Sequence, residues 1–248
     1  MTTLMAWLRH VRGAISSHTG QSPEWRLTSP DYDAYWRDRG LSEPTAPPPD
    51  DPWDYPRFRA MASLMSQEDR VADIGCGSGS FLAFLRDRGF EDVVGVDTSV
   101  AAVESLRRHG YAAHRSALED LDLESLGPVD VAVLSEVLEH VIAFEALLEK
   151  VATHAGRVII SHPNIGYWPH RLRMLSGRFP IQWGWHPAEH LRFFTVKDLL
   201  EHLDRAGYEL LSVQAPVGVP SARLRRWRPN LFADHVVFEI RRPGATCE

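Results

Sequence analysis

Val71-Ala-Asp-Ile-Gly-Cys-Gly-Ser-Gly79 runs from apolar residues into three glycines spaced two apart. Arg70–Ile74 reads as a strand and Phe81–Arg88 as the helix after it. Glycines at such a junction let the backbone turn sharply and approach a ligand closely, and the N-terminus of the following helix faces that ligand. Asp92–Asp97 is a second strand of β-branched residues. It ends in Asp97, about twenty residues beyond the turn, the spacing expected of a carboxylate that holds ribose hydroxyls.

Outward from that turn the chain alternates. Arg57–Met65 is predicted as a helix leading into the first strand, Val100–His109 as a helix, and Tyr111–Arg115 as a third strand. Val129–Ser135 follows as a strand, Phe144–His154 as a helix and Arg157–His162 as a fifth strand. Such alternation implies an α/β fold with a parallel sheet covered on both faces. The rhythm breaks over Pro163–Phe194, which is rich in Pro, Trp and His; a long irregular insertion in a compact domain is more often functional than accidental. Thr195–Ala206 resumes as a helix, followed by the strand Tyr208–Gln214, a loop over Ala215–Phe232 and a last strand at His235–Ile240. Upstream, Pro44, Pro47, Pro48 and Pro49 form a stiff linker. Asp31–Trp36 reads as a short helix whose Tyr32, Tyr35 and Trp36 are expected to fold over the site as a lid. The domain reading is therefore a helix, linker and cap over residues 1–56, then one domain over 57–248 with a lid insertion at 163–194.

A chain of 248 residues, 44% hydrophobic and 24% charged, suits one such domain with an added segment. Its net charge of −6 argues against broad attraction to nucleic acid or membranes. The two cysteines, Cys76 and Cys247, are placed so that no bridge between them is expected, which suits a reducing, cytoplasmic setting. No apolar run approaches the length of about eighteen residues that a transmembrane span needs. Met1–Ile15 carries Leu4, Leu8, Val11 and Ile15 at helical spacing with Arg9 and Arg12 between them. That pattern fits an amphipathic helix packed on the domain or one lying on a membrane surface.

Asp-Ile-Gly-Cys-Gly-Ser-Gly, Asp97 after Val-Gly-Val, and Ser-Glu-Val-Leu-Glu-His-Val (135–141) after the fourth strand together resemble the class I S-adenosylmethionine-dependent methyltransferases. The resemblance covers roughly Arg57–Ile240. It implies a Rossmann-like sheet of seven strands, mostly parallel with the last antiparallel, and S-adenosylmethionine as cofactor with S-adenosylhomocysteine as product. It also implies that Asp73, Gly75, Gly77 and Gly79 lie along the cofactor, that Asp97 and Thr98 meet the ribose, that Ser116, Ala117 and Leu118 flank the adenine, and that Ser135 borders the site. The family commonly has Asp near Ser116, a departure here. In the second half, Ser161-His-Pro-Asn-Ile-Gly-Tyr-Trp168, Arg171-Leu-Arg, Gly177-Arg-Phe-Pro180 and Asn230-Leu-Phe-Ala-Asp resemble the MetW family linked to methionine biosynthesis. That likeness implies a cofactor-binding partner of an acyltransferase.

Glu136, Glu139 and His140 stand at i, i+3 and i+4, so on a helix they would share one face and converge at the C-terminal edge of the sheet. With His190 ahead of Phe-Phe-Thr195, the pattern is similar to the small-RNA 2′-O-methyltransferases and the ubiquinone-pathway O-methyltransferases. That similarity implies a divalent metal on Glu136, Glu139, His140 and His190. The other reading makes His140, supported by Glu136, a catalytic base, since imidazole ordinarily titrates near neutrality. His162, His170 and His186, with Trp168, Trp183 and Trp185, are offered as a packed lid or a substrate wall. Arg223, Arg225, Arg226 and Arg228 around Trp227 are either a solvated face or a grip on a phosphate or carboxylate. The function expected is S-adenosylmethionine-dependent O-methylation of a small-molecule, sugar or lipid-type acceptor. The alternatives are the MetW-like partner protein and, less favoured, a dinucleotide oxidoreductase. A homodimer or an acyltransferase partner is compatible with the sequence.

Overall fold

The computed structural model describes residues 31–118, 120–180 and 190–243. The readings made on Met1–Ile15, Trp183, Trp185, His186 and Cys247 lie outside these residues. Seven strands form one sheet: β1 (Val71–Ile74), β2 (Val93–Asp97), β3 (Ala112–Arg115), β4 (Val129–Ser135), β5 (Ala155–Pro163), β6 (Glu209–Gly218) and β7 (Ala233–Arg241). Their order is β3-β2-β1-β4-β5-β7-β6, with β7 antiparallel to both neighbours and the first five parallel.

The inner strands are buried on both faces, which is why they read as nearly continuous apolar runs. Their period of two sorts the side chains into two cores. Ala72, Ile74, Val94, Val96 and Leu134 pack with α5 (Phe144–His154) and α7 (Val196–Arg205). Val71, Val93, Val131 and Val133 pack with α2 (Asp54–Ala62), α3 (Ser80–Arg86) and α4 (Val100–Arg108). On that second face Phe58, Phe81 and Phe84 form an aromatic cluster, with Phe58 and Phe81 centroids 4.9 Å apart. After β1 the chain turns toward β2, and after β4 it turns the opposite way toward β5. The β1 and β4 ends therefore flank a crevice of the kind in which open α/β sheets bind ligands.

Two stretches differ from the sequence reading. Within 163–194, Trp168–Leu175 is a helix (α6). Its buried residues are Pro169, His170 and Arg173, so no apolar period announces it. Residues 215–232 are not a loop throughout: β6 continues to Gly218 through register shifts, and two short helices follow, α8 (Ala222–Trp227) and α9 (Pro229–Phe232). Ser221 caps the first and a proline opens the second, but six and four residues are too few to show a helical period. The short helix α1 (Tyr32–Arg39) begins at Asp31, whose carboxylate accepts the Ala34 N–H.

Asn164 ties the end of β5 to the elements around it. Its side-chain amide donates to the Ala233 carbonyl at 2.7 Å, and its Oδ1 accepts from the N–H groups of Gly166 at 2.9 Å and Val196 at 3.3 Å. Asn164→Ala leaves three buried backbone groups without their partner, a loss of about 2–4 kcal/mol given the cost of such orphans. Urea denaturation checks this, and a loss below about 1 kcal/mol would mean water replaces the side chain.

Candidate active site

The crevice holds a cavity of about 530 Å³ lined by the glycine turn, Asp97, the end of β4 and aromatic residues of α1. Gly75 and Gly77 have φ of +81° and +52°, left-handed values that a side chain disfavours. This conformation lets the N–H groups of Gly75 and Cys76 both donate to the Val96 carbonyl, at 2.7 and 3.0 Å. A Cβ on Gly77 would lie 2.4 Å from the Trp36 ring, so the turn and the aromatic residue over it need each other's shape. Gly79 does not line the cavity; it is the left-handed N-cap of α3, packed under Leu106.

Asp97 accepts the Gly77 N–H on Oδ2 and the Ser99 N–H on Oδ1, both at 2.8 Å. A carboxylate has about four acceptor sites, so two remain for hydroxyl donors in the cavity. Ser99 caps α4 and also donates to Asp33 of α1 at 2.6 Å, and Asp33 accepts the Ala101 N–H at 3.2 Å. The Ser99 hydroxyl, then Ala101, hold the Asp33 carboxyl below its usual range. This latch lays α1 across the cavity, with Tyr32 Oη 3.2 Å from His140 Nδ1 at the far side. Asp73 also lines the cavity and is pushed up to about 7 by burial and by Asp97, against the pull of Arg57.

Thr98, Leu118 and Ser135 line the cavity, whereas Ser116 and Ala117 do not. The Ser116 N–H donates to the Asp97 carbonyl, and its hydroxyl to the Ala117 carbonyl. Arg57 carries no motif, and the sequence reading gave it a helix position but no role in the site. It lines the cavity, donates to Asp54 at 2.5 Å and pairs with Glu136 at 3.2 Å. Its Nε is buried without a hydrogen-bond partner among the described residues.

The helix face expected for Glu136, Glu139 and His140 is not formed. Glu136 has φ +56°, the one non-glycine residue with positive φ among those described, and the turn after it is a 3₁₀ turn over Leu138–His140. A left-handed non-glycine residue costs on the order of 1 kcal/mol, so its surroundings must hold it. Ser161 donates to it at 2.8 Å, and Arg57 and His235 pair with it at 3.2 and 3.3 Å. His235 also pairs with Asp234 at 2.8 Å. Glu136 is thereby drawn away from Glu139, whose carboxylate is fully buried. One of its oxygens lies 3.1 Å from His162 Nδ1 and the other has no partner among the described residues.

The Glu139 carbonyl accepts the N–H groups of Leu191 at 2.7 Å and Arg192 at 3.2 Å. This brings His190 against His140, with ring centroids 4.8 Å apart and planes at 87°. One ligand atom each from Glu139, His140 and His190 lies within 4.8 Å of the others, a set that could hold a metal ion; Glu136 is not part of it. His170 is buried against Asp234 at 3.5 Å, outside the cavity.

Residues 46–213, more than half of the chain, match the family described as a methyltransferase domain. The chain belongs to that family. Its fold is that of S-adenosylmethionine-dependent methyltransferases. A curated relative, the ubiquinone biosynthesis O-methyltransferase of Cupriavidus pinatubonensis, is 27% identical over 167 residues. The match covers 62% of this chain and 66% of that protein, just under two thirds of its length. Among solved structures, the small RNA methyltransferase HEN1 superposes with a TM-score of 0.56 at 21% identity, over 77% of this chain and 25% of that one. An S-adenosylmethionine-dependent methyltransferase from Mesorhizobium loti superposes with a TM-score of 0.52 at 21% identity, over 76% and 97%. These relatives give the MetW likeness no support.

The Glu136–His235 pair in this methyltransferase sets a pH dependence. Burial disfavours the imidazolium, but Glu136 and Asp234 outweigh it and push His235 from 6.5 up to about 10. The unfolded chain releases this proton near 6.5, so the stabilisation is complete below that pH and is lost as pH rises toward about 10. Burial also works against ionised Glu136, yet His235 and Arg57 hold it well below its ordinary value, so this cluster does not weaken in mild acid. Thermal unfolding followed over that alkaline window should show a declining midpoint in the parent and a flatter profile in His235→Gln. Parallel profiles would rule out this source.

Proposed function

We propose that this chain transfers a methyl group from S-adenosylmethionine to a hydroxyl oxygen of a small-molecule acceptor. The observation that carries this reading is the position of His140, on the cavity wall beside His190 and Glu139. The curated relative's name, an O-methyltransferase of ubiquinone biosynthesis, supports an oxygen acceptor.

In this reading Gly75 and Gly77 leave room for the cofactor, and Asp97 accepts the ribose hydroxyls on the positions its two backbone donors leave open. Thr98, Leu118 and Ser135 border it, with Ser116 and Ala117 behind Leu118. Arg57, on the cavity wall, would offer its guanidinium to a carboxylate. Tyr35 and Trp36 exclude water, which strengthens every charge interaction inside. When bound, S-adenosylmethionine supplies an electrophilic methyl group on a sulfonium centre. The chain's own work is to align the acceptor and take its proton. With Nδ1–H donating to Tyr32 Oη, the basic atom of His140 in this tautomer is Nε2, which would take that proton. A second reading follows from the clustering of Glu139, His140 and His190. They would hold a divalent cation, which would lower the pKa of an acceptor oxygen.

Two measurements test this. Asp97→Ala should weaken S-adenosylhomocysteine binding in calorimetry by about 2–4 kcal/mol, the scale of losing charged hydrogen bonds. Unchanged affinity, or a parent protein that prefers NAD, would overturn the cofactor assignment. For the chemistry, the base reading expects turnover that survives chelator, a loss of about 100-fold or more in His140→Ala, and a milder effect of His190→Ala. The cation reading expects chelator to abolish turnover, Mg²⁺, Mn²⁺ or Zn²⁺ to restore it, and both histidine variants to be equally damaged. Full activity in His140→Ala would sink both.

A further inference from the structure

Helix α6 is turned inside out. An amphipathic helix normally buries its apolar side chains. Here His170 and Arg173 are buried, while Leu172, Met174 and Leu175 are exposed, Leu175 at 83%. The inward polar groups are anchored: His170 lies against Asp234, and Arg173 Nε donates to the Phe179 carbonyl at 2.8 Å. The outward apolar set is therefore held in place by the fold.

This face continues in both directions through direct contacts. Phe179, 53% exposed, packs edge-on against Phe193 at 5.0 Å. Arg192 beside it donates to the carbonyl of Ile142, itself 69% exposed. On the other side Arg171 donates to the Asn230 carbonyl of α9, which follows α8 and its Trp227, 65% exposed under the Arg228 guanidinium. Charge is segregated in the same place. The chain has 33 acidic residues and a net charge of −6, yet neither 163–180 nor 215–233 contains Asp or Glu. The exposed ionic groups there are arginines: Arg171, Arg178, Arg223, Arg226 and Arg228.

We propose that this face docks on the surface of an anionic phospholipid bilayer, with the arginines among the phosphates and Leu175, Phe179 and Trp227 at the headgroup–acyl boundary. Arginine stems and a tryptophan ring suit that boundary, because each pairs an apolar body with a polar end. A single-stranded nucleic acid would use the arginines and Trp227 but leave Leu175 and Ile142 in water. The acidic remainder of the protein would be repelled from the same bilayer, which fixes the orientation. Leu191 and His190 adjoin this face, so an acceptor with an apolar tail would reach the site from the bilayer. That corollary rests on the proposed reaction, whereas the docking does not.

The test is sedimentation of the full chain with vesicles of phosphatidylcholine alone or mixed equally with phosphatidylglycerol. The proposal expects binding to the mixed vesicles at low salt, little to phosphatidylcholine alone, and release as salt screens the charges. Leu175→Asp with Trp227→Ser, and separately Arg223→Glu with Arg226→Glu, should each lower the partition coefficient at least about tenfold. Both variants should keep the parent's unfolding midpoint and S-adenosylhomocysteine affinity, which separates lost docking from lost folding or lost cofactor binding. The proposal is overturned if the parent does not sediment with anionic vesicles, or if both variants bind them like the parent. It is equally overturned if an RNA oligonucleotide binds more tightly than the vesicles, or if the variants abolish a dimer of this chain in a parent that ignores vesicles.

Discussion

The carboxylate of Asp97 joins the pieces on which the cavity depends. One oxygen holds the glycine turn after β1 and the other holds the first turn of α4. Both bonds run from backbone N–H groups to an ionic acceptor with little water to compete, where such bonds are strong. Through Ser99 the same knot reaches Asp33, so α1 is laid over the cavity by a residue that also caps α4. Burial keeps the Asp97 pKa above its ordinary value despite these backbone donors.

A second knot forms at Glu139. Its carbonyl receives the chain returning from the insertion and its carboxylate receives His162 from β5. Its neighbour Glu136 is pulled into a different charge cluster with Arg57, Ser161 and His235. Two carboxylates three positions apart thus have separate environments. One pairs with permanently charged arginine and a strongly held imidazolium. The other, fully buried, lies against His162 and close to His140 and His190. Like charges held apart this way avoid the mutual repulsion they would suffer on one helix face.

The outer elements follow a different logic from the sheet. The central strands bury whatever is apolar, because parallel strands are covered on both sides. α6 instead sinks polar groups into specific partners and leaves its aliphatic residues outside. Such an inversion loses the hydrophobic contribution that burying three large side chains would bring, roughly 1.5–3 kcal/mol each. The docking proposed for this face would recover part of that loss at a bilayer surface.

Much of the fold was legible in the sequence. The β-branched runs, the glycine turn and the acid ending the second strand are local patterns, and their spacing along a parallel sheet leaves little choice of where they meet. Helix ends marked by local chemistry were also legible, as in Thr195 and Asp198, which cap α7 reciprocally. Other features depended on residues distant in sequence. The positive φ of Glu136 follows from partners at 57, 161 and 235, and no spacing rule over Glu136–His140 contains them. Arg57 gains its place in the cavity wall from the packing of α2, and His190 gains its place from a carbonyl some fifty positions earlier in the chain. α6 escaped the sequence reading because its buried face carries His170 and Arg173, so no apolar period marked it. The sequence by itself therefore determined the sheet and the cofactor-sized turn, through patterns of short range. Only the tertiary structure decided which charges meet at the site and which apolar residues stay outside, because a charged side chain finds its partner by position in space.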